Sequence, residues 1–324
     1  MNLKEAKNVM QGGGVSAPTI AADPSAPLGP MVAGFREISA ADYHADKIGE
    51  IPTLSHGCAV TLVNECPEHA FNEHPRFGAA EREATDGMDF GSAAHELILG
   101  KGQGIAVFEG KSWAGKEAGA FWDRAVAQGM TPLKLADFKR AEAVRAAFMA
   151  KLHAYPEIEA RFAAGVSEQA MVWNEGAVWC RALCDRLCIN EDNKSAIIFD
   201  VKTCASAHPM AIEKQMGSMG YNVQADFYST GLRTLRPDLS GRIRFVFLFI
   251  EKKPPFSFVP CEMTGEGYAV ACSKTSRAIS LWRECTAQNR WPGYCSEVLK
   301  IEPKPWELAS EIGAESLGEK MANN

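Results

Sequence analysis

An apolar run that ends in charge, Ala196-Ile197-Ile198-Phe199-Asp200-Val201-Lys202-Thr203, constrains this chain more than any other segment. Its length and β-branched content read as a buried strand. Side chains alternate across a strand, so Asp200 and Lys202 share a face, with Ile198 behind them. An acid and a lysine at the end of a buried strand are costly unless they bind something. A divalent cation and a phosphate would satisfy both.

The segments around this strand predict an α+β or α/β arrangement, with a mixed sheet flanked by helices and preceded by a helical region. From Leu54 to about Tyr155 the signals are helical. Ser55 caps a helix through Glu65, which Pro67 ends. Gly91–Gly100 reads as a short helix with Gly91, His95, Ile98 and Leu99 on one face, and Trp113–Gln128 as another, closed by Gly129. Thr131-Pro132 offers an N-cap with proline at the first helical position, opening a helix toward His153. After Gly165 the pattern changes. Val166–Trp173 and Ala177–Ile189 are strand-like and joined at Asn174-Glu175-Gly176, a hairpin signal, and Ser195–Lys202 follows as a third strand. Helices are expected at His208–Gly217 and Tyr221–Leu235, strands at Arg242–Glu251 and Phe256–Glu262, and a closing helix at Gly267–Gln288. Residues 1–36 read as a flexible Gly/Pro/Ala-rich arm, 37–310 as one domain (helical part 54–160, sheet-bearing core 165–290), and 311–324 as a tail.

Composition narrows the class. The 324 residues are 46% hydrophobic and 23% charged, with a formal net charge of −6. That balance fits a soluble, cytoplasmic chain with no membrane-spanning run; the strongest apolar block, Phe245–Ile250, is strand-sized. It does not exclude nucleic acid, which needs a local basic channel and not a basic average. Arg181, Arg186, Arg233, Arg236, Arg242 and Arg244 are candidates for such a path, or else ordinary surface arginines. The ten cysteines contain no C-x-x-C pair. Cys180, Cys184 and Cys188 share a strand face with Ala182 and read as small buried hydrophobes, with an iron–sulfur cluster as the alternative.

The chemistry centres on Asp185 and Asp200. Asp185 shares a strand face with Arg181, Leu183 and Leu187. If its strand pairs with the next, the two acids converge on one ion. Carboxylate oxygens suit Mg²⁺ or Mn²⁺, and a nearby Lys202 could hold a phosphate oxygen or help activate the attacking water. Acid-x-Lys triplets also occur as surface salt bridges. His95, on the apolar face of its helix, is either a satisfied core histidine or a third ligand. Glu168 is an exposed hairpin acid or part of the outer shell of such a site. Gln224 and Tyr228, four apart, present an amide and a phenol on one helix face, or belong to an ordinary amphipathic helix.

Taken in order, His95, Glu168, Asp185, Asp200-x-Lys202 and Gln224-x-x-x-Tyr228 resemble the PD-(D/E)xK nuclease superfamily, and most of all its RecE-like (exodeoxyribonuclease VIII) branch. Ile38–His44, Ser55 with Cys66-Pro67-Glu68-His69, Gly91–His95, Cys184–Leu187, Tyr221–Ala225 and Trp291-Pro292-Gly293-Tyr294 extend the resemblance over roughly residues 38–306. It implies a PD-(D/E)xK core in which His95, Asp185, Asp200 and the Val201 carbonyl hold Mg²⁺, with Mn²⁺ able to substitute. It further implies Lys202 as the catalytic lysine, with Gln224 and Tyr228 supporting the site or touching DNA. The activity implied is processive 5′→3′ digestion of linear double-stranded DNA by a ring-shaped homo-oligomer, working with a single-strand-annealing protein in a bacterial or phage-infected cell. A same-fold endonuclease or single-strand nuclease is the near alternative. A DNA-binding protein that keeps the fold without the chemistry is the distant one.

Overall fold

The apolar run forms an inner strand of a seven-stranded, mostly antiparallel sheet. The protein's structure, a computed structural model, describes residues 28–78, 86–239 and 241–312. Residues 1–27 of the expected arm and 313–324 of the tail lie outside these. The arm was expected to reach residue 36, but Gly34–Arg36 (β1) is an edge strand paired to residues 170–172. Ala40–His44 (α1) follows, capped by Ser39. The two-residue strand Leu54–Ser55 (β2) leads into His56–Asn64 (α2), and the Ser55 side chain caps that helix by accepting from the Cys58 N–H.

The helical part departs from expectation at its prolines. Pro67 opens a helix, Pro67–Glu73 (α3), because a missing N–H costs nothing in a first turn. Asp86–Leu99 (α4) carries His95 and is longer than the expected Gly91–Gly100. Ile105–Phe108 (β3), Lys116–Ala127 (α5) and Thr131–Lys134 (β4) come next. Thr131-Pro132 therefore starts no helix; Pro132 pairs with Ala106 in a two-stranded parallel sheet, where it has a strand on one side only. Leu135–Leu152 (α6) and Pro156–Ala164 (α7) complete this part.

The sheet core follows the sequence pattern more closely. Val166–Glu175 (β5) and Val178–Asn190 (β6) form the expected hairpin. Its turn residues Gly176 and Ala177 both have positive φ (55° and 72°), the geometry that matches a two-residue turn to strand twist. Ser195–Cys204 (β7) pairs antiparallel with β6. Pro209–Ser218 (α8) and Tyr221–Leu235 (α9) then cross over to Ile243–Glu251 (β8), which lies parallel to β7. Phe258–Cys261 (β9) and Gly265–Gln288 (α10) end the core.

Both faces of β8 are covered, which explains its unbroken apolar run. Phe245, Phe247 and Phe249 pack with Val223, Phe227 and Leu232 of α9 and Trp282 of α10. Val246, Leu248 and Ile250 pack on the other side with Phe90 and Ile98 of α4, Phe148 of α6 and Phe162 of α7. The two distant motifs Cys66–His69 and Trp291–Tyr294 meet: Glu68 N–H donates to the Pro292 carbonyl at 3.1 Å, and the His69 and Tyr294 rings touch. No helix among the described residues is long and apolar enough to cross a membrane.

Candidate active site

The site lies where regular pairing between β6 and its neighbours stops. Cys180, Ala182 and Cys184 pack in the α9-side core and Leu183 in a separate cluster around Tyr43 and Ile48, as alternation demands. Leu187, however, packs on the same side as Cys184, and Cys188 packs on the α4 side. Alternation therefore breaks between Cys184 and Leu187. Glu168, which would face Asp185, has φ 50° and is skipped by the β5–β6 pairing. Two expectations fail for this reason: Asp185 does not share one regular face with Arg181, Leu183 and Leu187, and Cys188 does not share the face of Cys180 and Cys184.

The β6–β7 ladder ends at Arg186–Phe199, one position short of Asp185 opposite Asp200. In its place the Val201 N–H donates to Asp185 Oδ2 at 2.7 Å. From α4, His95 Nε2 reaches the same oxygen at 2.7 Å. Burial alone would push the Asp185 carboxyl up, but His95, Lys202 and the Val201 N–H hold it below its ordinary value. Burial acts against the His95 imidazolium too, and Asp185 more than offsets it, so His95 is raised.

Asp200 is held from the opposite face. Gln224 of α9 donates through Nε2 to Asp200 Oδ1 at 2.5 Å and accepts from Lys202 Nζ at 3.1 Å through Oε1. Lys202 Nζ lies 2.7 Å from Asp200 Oδ2 and 4.5 Å from the centre of the Tyr221 ring. Burial lifts Asp200 to about 6, with Lys202 opposing and Asp185 adding to the rise. Burial alone would lower Lys202, but Asp200 and Asp185 keep it above its ordinary value, so it is an ammonium at neutral pH.

These residues fit a hard divalent cation. Asp200 Oδ2 is buried and accepts no hydrogen bond of good geometry despite its ion pair with Lys202. An oxygen short of a donor, on an acid whose ionised form is disfavoured by burial and by Asp185, is what a cation relieves. Among the described residues no three His, Cys, Asp or Glu side chains group to hold an ion. The side-chain ligands would thus be Asp185 and Asp200, completed by main-chain oxygen such as the Val201 carbonyl and by water; His95, expected as a third ligand, instead has its Nε2 on Asp185 at 2.7 Å. The same observation leaves the iron–sulfur reading without a cluster; seven of the ten free cysteines are buried.

Of the sequence-derived residues, the structure brings together His95, Asp185, Asp200, Val201, Lys202 and Gln224. Glu168 stands beside the break and close enough to Glu96 to raise its carboxyl, with burial the larger cause. Tyr228 is buried, and its hydroxyl meets His56 Nδ1 at 3.1 Å, so it is not presented beside Gln224 on an open face. His56 and Tyr221 are the residues the sequence reading missed. Tyr221 lies three residues before Gln224, a spacing that puts both on one side of α9; nothing local marks His56.

The six arginines are engaged elsewhere. Arg181 is buried against Asp46 at 2.8 Å and Thr53, and Arg186 donates to the Phe162 and Ala163 carbonyls. Arg236 pairs with Glu191 and Asp238, and Arg244 with Glu157 and Glu262. Arg242 donates to the Asn193 carbonyl and Arg233 to the Thr230 hydroxyl.

Both the fold and the sequence have known counterparts. The chain is similar to a candidate exonuclease from Eubacterium rectale, whose crystal structure aligns over 84% of this chain and 98% of its own, with 14% identity and a TM-score of 0.55. That likeness establishes a shared fold. A second solved structure, of the protein SSO0001, aligns over 80% of this chain and 98% of its own at 12% identity, but its TM-score of 0.30 supports no argument. No curated protein matches the sequence. A family model described as "PDDEXK-like domain of unknown function (DUF3799)" matches residues 59–302, and the chain therefore belongs to this PDDEXK-like family.

Proposed function

We propose that the protein is a metal-dependent exodeoxyribonuclease that degrades linear double-stranded DNA. One observation carries the reading: Asp200, a buried acid whose Oδ2 meets only the Lys202 ammonium, stands beside Asp185 and is ion-paired to that lysine two residues on. An acid pair that needs a cation, next to an ammonium that can hold phosphate, is the equipment of phosphodiester hydrolysis.

Each side chain has a part in this reading. Asp185 and Asp200 would hold Mg²⁺, or Mn²⁺ in its place. The ion, when bound, supplies charge neutralisation and an activated water for in-line displacement. Lys202, protonated at neutral pH, donates to a non-bridging phosphoryl oxygen and offsets the negative charge that develops there. Gln224 fixes Asp200 and Lys202 relative to each other by spending one end of its amide on each. The Tyr221 ring beneath Nζ favours the ammonium form. His95 holds Asp185 ionised and oriented. Within the same reading the enzyme digests processively 5′→3′ as a ring-shaped homo-oligomer and hands single strands to an annealing protein during recombination in a bacterial or phage-infected cytoplasm.

Incubation with linear and covalently closed circular duplex DNA in Mg²⁺, with end-labelled strands, tests it. Loss of the linear form from 5′ ends, with the circle intact, is expected. Nicking of the circle would move the assignment to an endonuclease.

A further inference from the structure

Beside the acids and the lysine lies a second nitrogen base that the reading above does not use. His56 is the first residue of α2, and the short strand before it, β2, lies parallel against Cys180 and Arg181 of β6. It is close enough to Lys202 and Asp185 for both charges to act on it. Its Nδ1 is taken by the Tyr228 hydroxyl at 3.1 Å, with the two rings edge to face at 5.3 Å. Tyr228 comes from the same helix as Gln224, one turn further along. Its neighbour Tyr43 points its own hydroxyl at the Arg181 carbonyl, 3.4 Å away. Nε2 of His56 makes no hydrogen bond among the described residues, and the residue as a whole is only half-buried. It is thus a clamped imidazole with one nitrogen committed and the other without a partner, at the edge of the candidate active site.

We propose that His56 is a further substrate-contacting residue of this site, clamped by Tyr228 so that Nε2–H donates to a phosphate oxygen of the bound DNA strand beside Lys202. The proposal fixes the tautomer: with the phenol donating to Nδ1, the ring proton sits on Nε2, aimed away from Tyr228. Burial, and then the Lys202 charge, lowers His56 to about 3, while burial lifts Tyr228 well above its ordinary value. Both partners therefore stay neutral at working pH, and the imidazole adds a fixed donor without adding a charge. A second cation beside Lys202 would compete with a divalent ion for the same carboxylates; a neutral donor does not. The arrangement gives Tyr228 a role despite its burial: it positions His56 and touches no DNA itself.

The proposal rests on the nuclease reading, and the test separates the two. Equilibrium binding of a linear duplex in Ca²⁺ and steady-state cleavage in Mg²⁺ are measured for wild type, His56→Ala, His56→Asn, His56→Gln and Tyr228→Phe, with thermal melting as the check on folding. Glutamine carries an amide N–H near the position of Nε2, whereas asparagine reaches only the position of Nδ1. Losing a hydrogen bond to a charged group predicts duplex binding and KM weakened about tenfold or more in His56→Ala and His56→Asn. His56→Gln should recover most of the loss, and Tyr228→Phe should show a smaller loss of the same kind, with kcat changing less than KM throughout. Unchanged binding and KM in His56→Ala overturns the proposal, as does rescue by asparagine equal to that by glutamine. A wild type that binds DNA without cutting it, with binding still weakened in His56→Ala and restored in His56→Gln, sinks the nuclease reading and leaves the phosphate contact standing. A wild type that neither binds nor cuts removes both.

Discussion

The main-chain N–H of Val201 donates to a side-chain oxygen of Asp185, at 2.7 Å, where the β6–β7 ladder would otherwise continue between backbones. The carboxylate thus replaces a rung of the sheet. Asp185 therefore has a structural role beside the chemical one proposed for it, and the two separate by substitution. Asp185→Asn keeps an oxygen for Val201 and loses the charge; cleavage is expected to fall by about 10²–10³-fold or more, with melting little changed. Asp185→Ala also strands a backbone donor, adding a destabilisation of about 1–3 kcal/mol. Equal stability of the two variants would show that the replaced rung carries no weight.

Gln224 spends both ends of its amide within the site, on Asp200 Oδ1 and on Lys202 Nζ. Gln224→Ala should release the lysine and lower single-turnover cleavage by about 10- to 100-fold, since misplacing a group by an ångström is enough for such a loss. Gln224→Glu replaces the donor to Asp200 with a third acid and is expected to be at least as damaging. Full activity in both would mean that Asp200 and Lys202 hold their geometry unaided.

Cation binding should register as stability. A ligand at a hundred times its Kd raises stability by about 2.7 kcal/mol, so Mg²⁺ or Mn²⁺ should lift the melting temperature and EDTA should reverse it. Asp200→Asn should abolish the response. Asp200 is raised to about 6 by burial, so its proton competes with the ion. Affinity is predicted to be flat above about pH 6 and to fall about tenfold per unit below it. A response that survives in Asp200→Asn would place the ion elsewhere.

Legibility in the sequence followed the physics of each segment. Strands β5 to β8 were readable because each carries an apolar, β-branched stretch bounded by turn residues, and Asp200 and Lys202 do share the α9 face with Ile198, where both contact Gln224. Pro67 and Pro132 misled because a proline marks a boundary without saying which element begins there. The break between Cys184 and Leu187 was invisible, since strand periodicity assumes the regular pairing that Glu168 and Asp185 abandon. His56 was out of reach for another reason. Its contact with Tyr228 spans 172 residues, and no local pattern encodes a partner so distant.

Gly220 precedes α9 in the left-handed region, with φ 68°, and a Cβ there would collide with the Val60 side chain of α2. Gly220→Ala therefore combines backbone strain of roughly 1–2 kcal/mol with overpacking of about 1–3 kcal/mol. Because α9 carries Tyr221, Gln224 and Tyr228, activity at a temperature where the variant remains folded should also drop. Urea denaturation paired with cleavage assays checks this; wild-type values in both would show that α2 and α9 adjust freely.

Acid should loosen the module that anchors β6. Asp46, Thr53, His74 and Arg181 form a buried network: Asp46 accepts from the Thr53 N–H at 2.9 Å and pairs with Arg181 at 2.8 Å, and His74 Nε2 meets the Thr53 carbonyl at 3.1 Å. Burial lowers His74 to about 4, against the opposing pull of the Thr53 carbonyl and Asp46. A histidine whose folded value is depressed binds its proton more readily in the unfolded chain. The associated stability is complete above about pH 6.5 and is lost as pH falls from there toward 4. The depression corresponds to about 3 kcal/mol as an upper bound. His74→Gln keeps a donor for the Thr53 carbonyl and cannot titrate. Its urea midpoint should therefore fall less between pH 7 and 5 than that of the wild type. Some slope remains, because His56, lowered to about 3, acts with the same sign. Identical slopes in the two proteins would locate the acid sensitivity outside this network and refute the claim that His74 is held neutral within it.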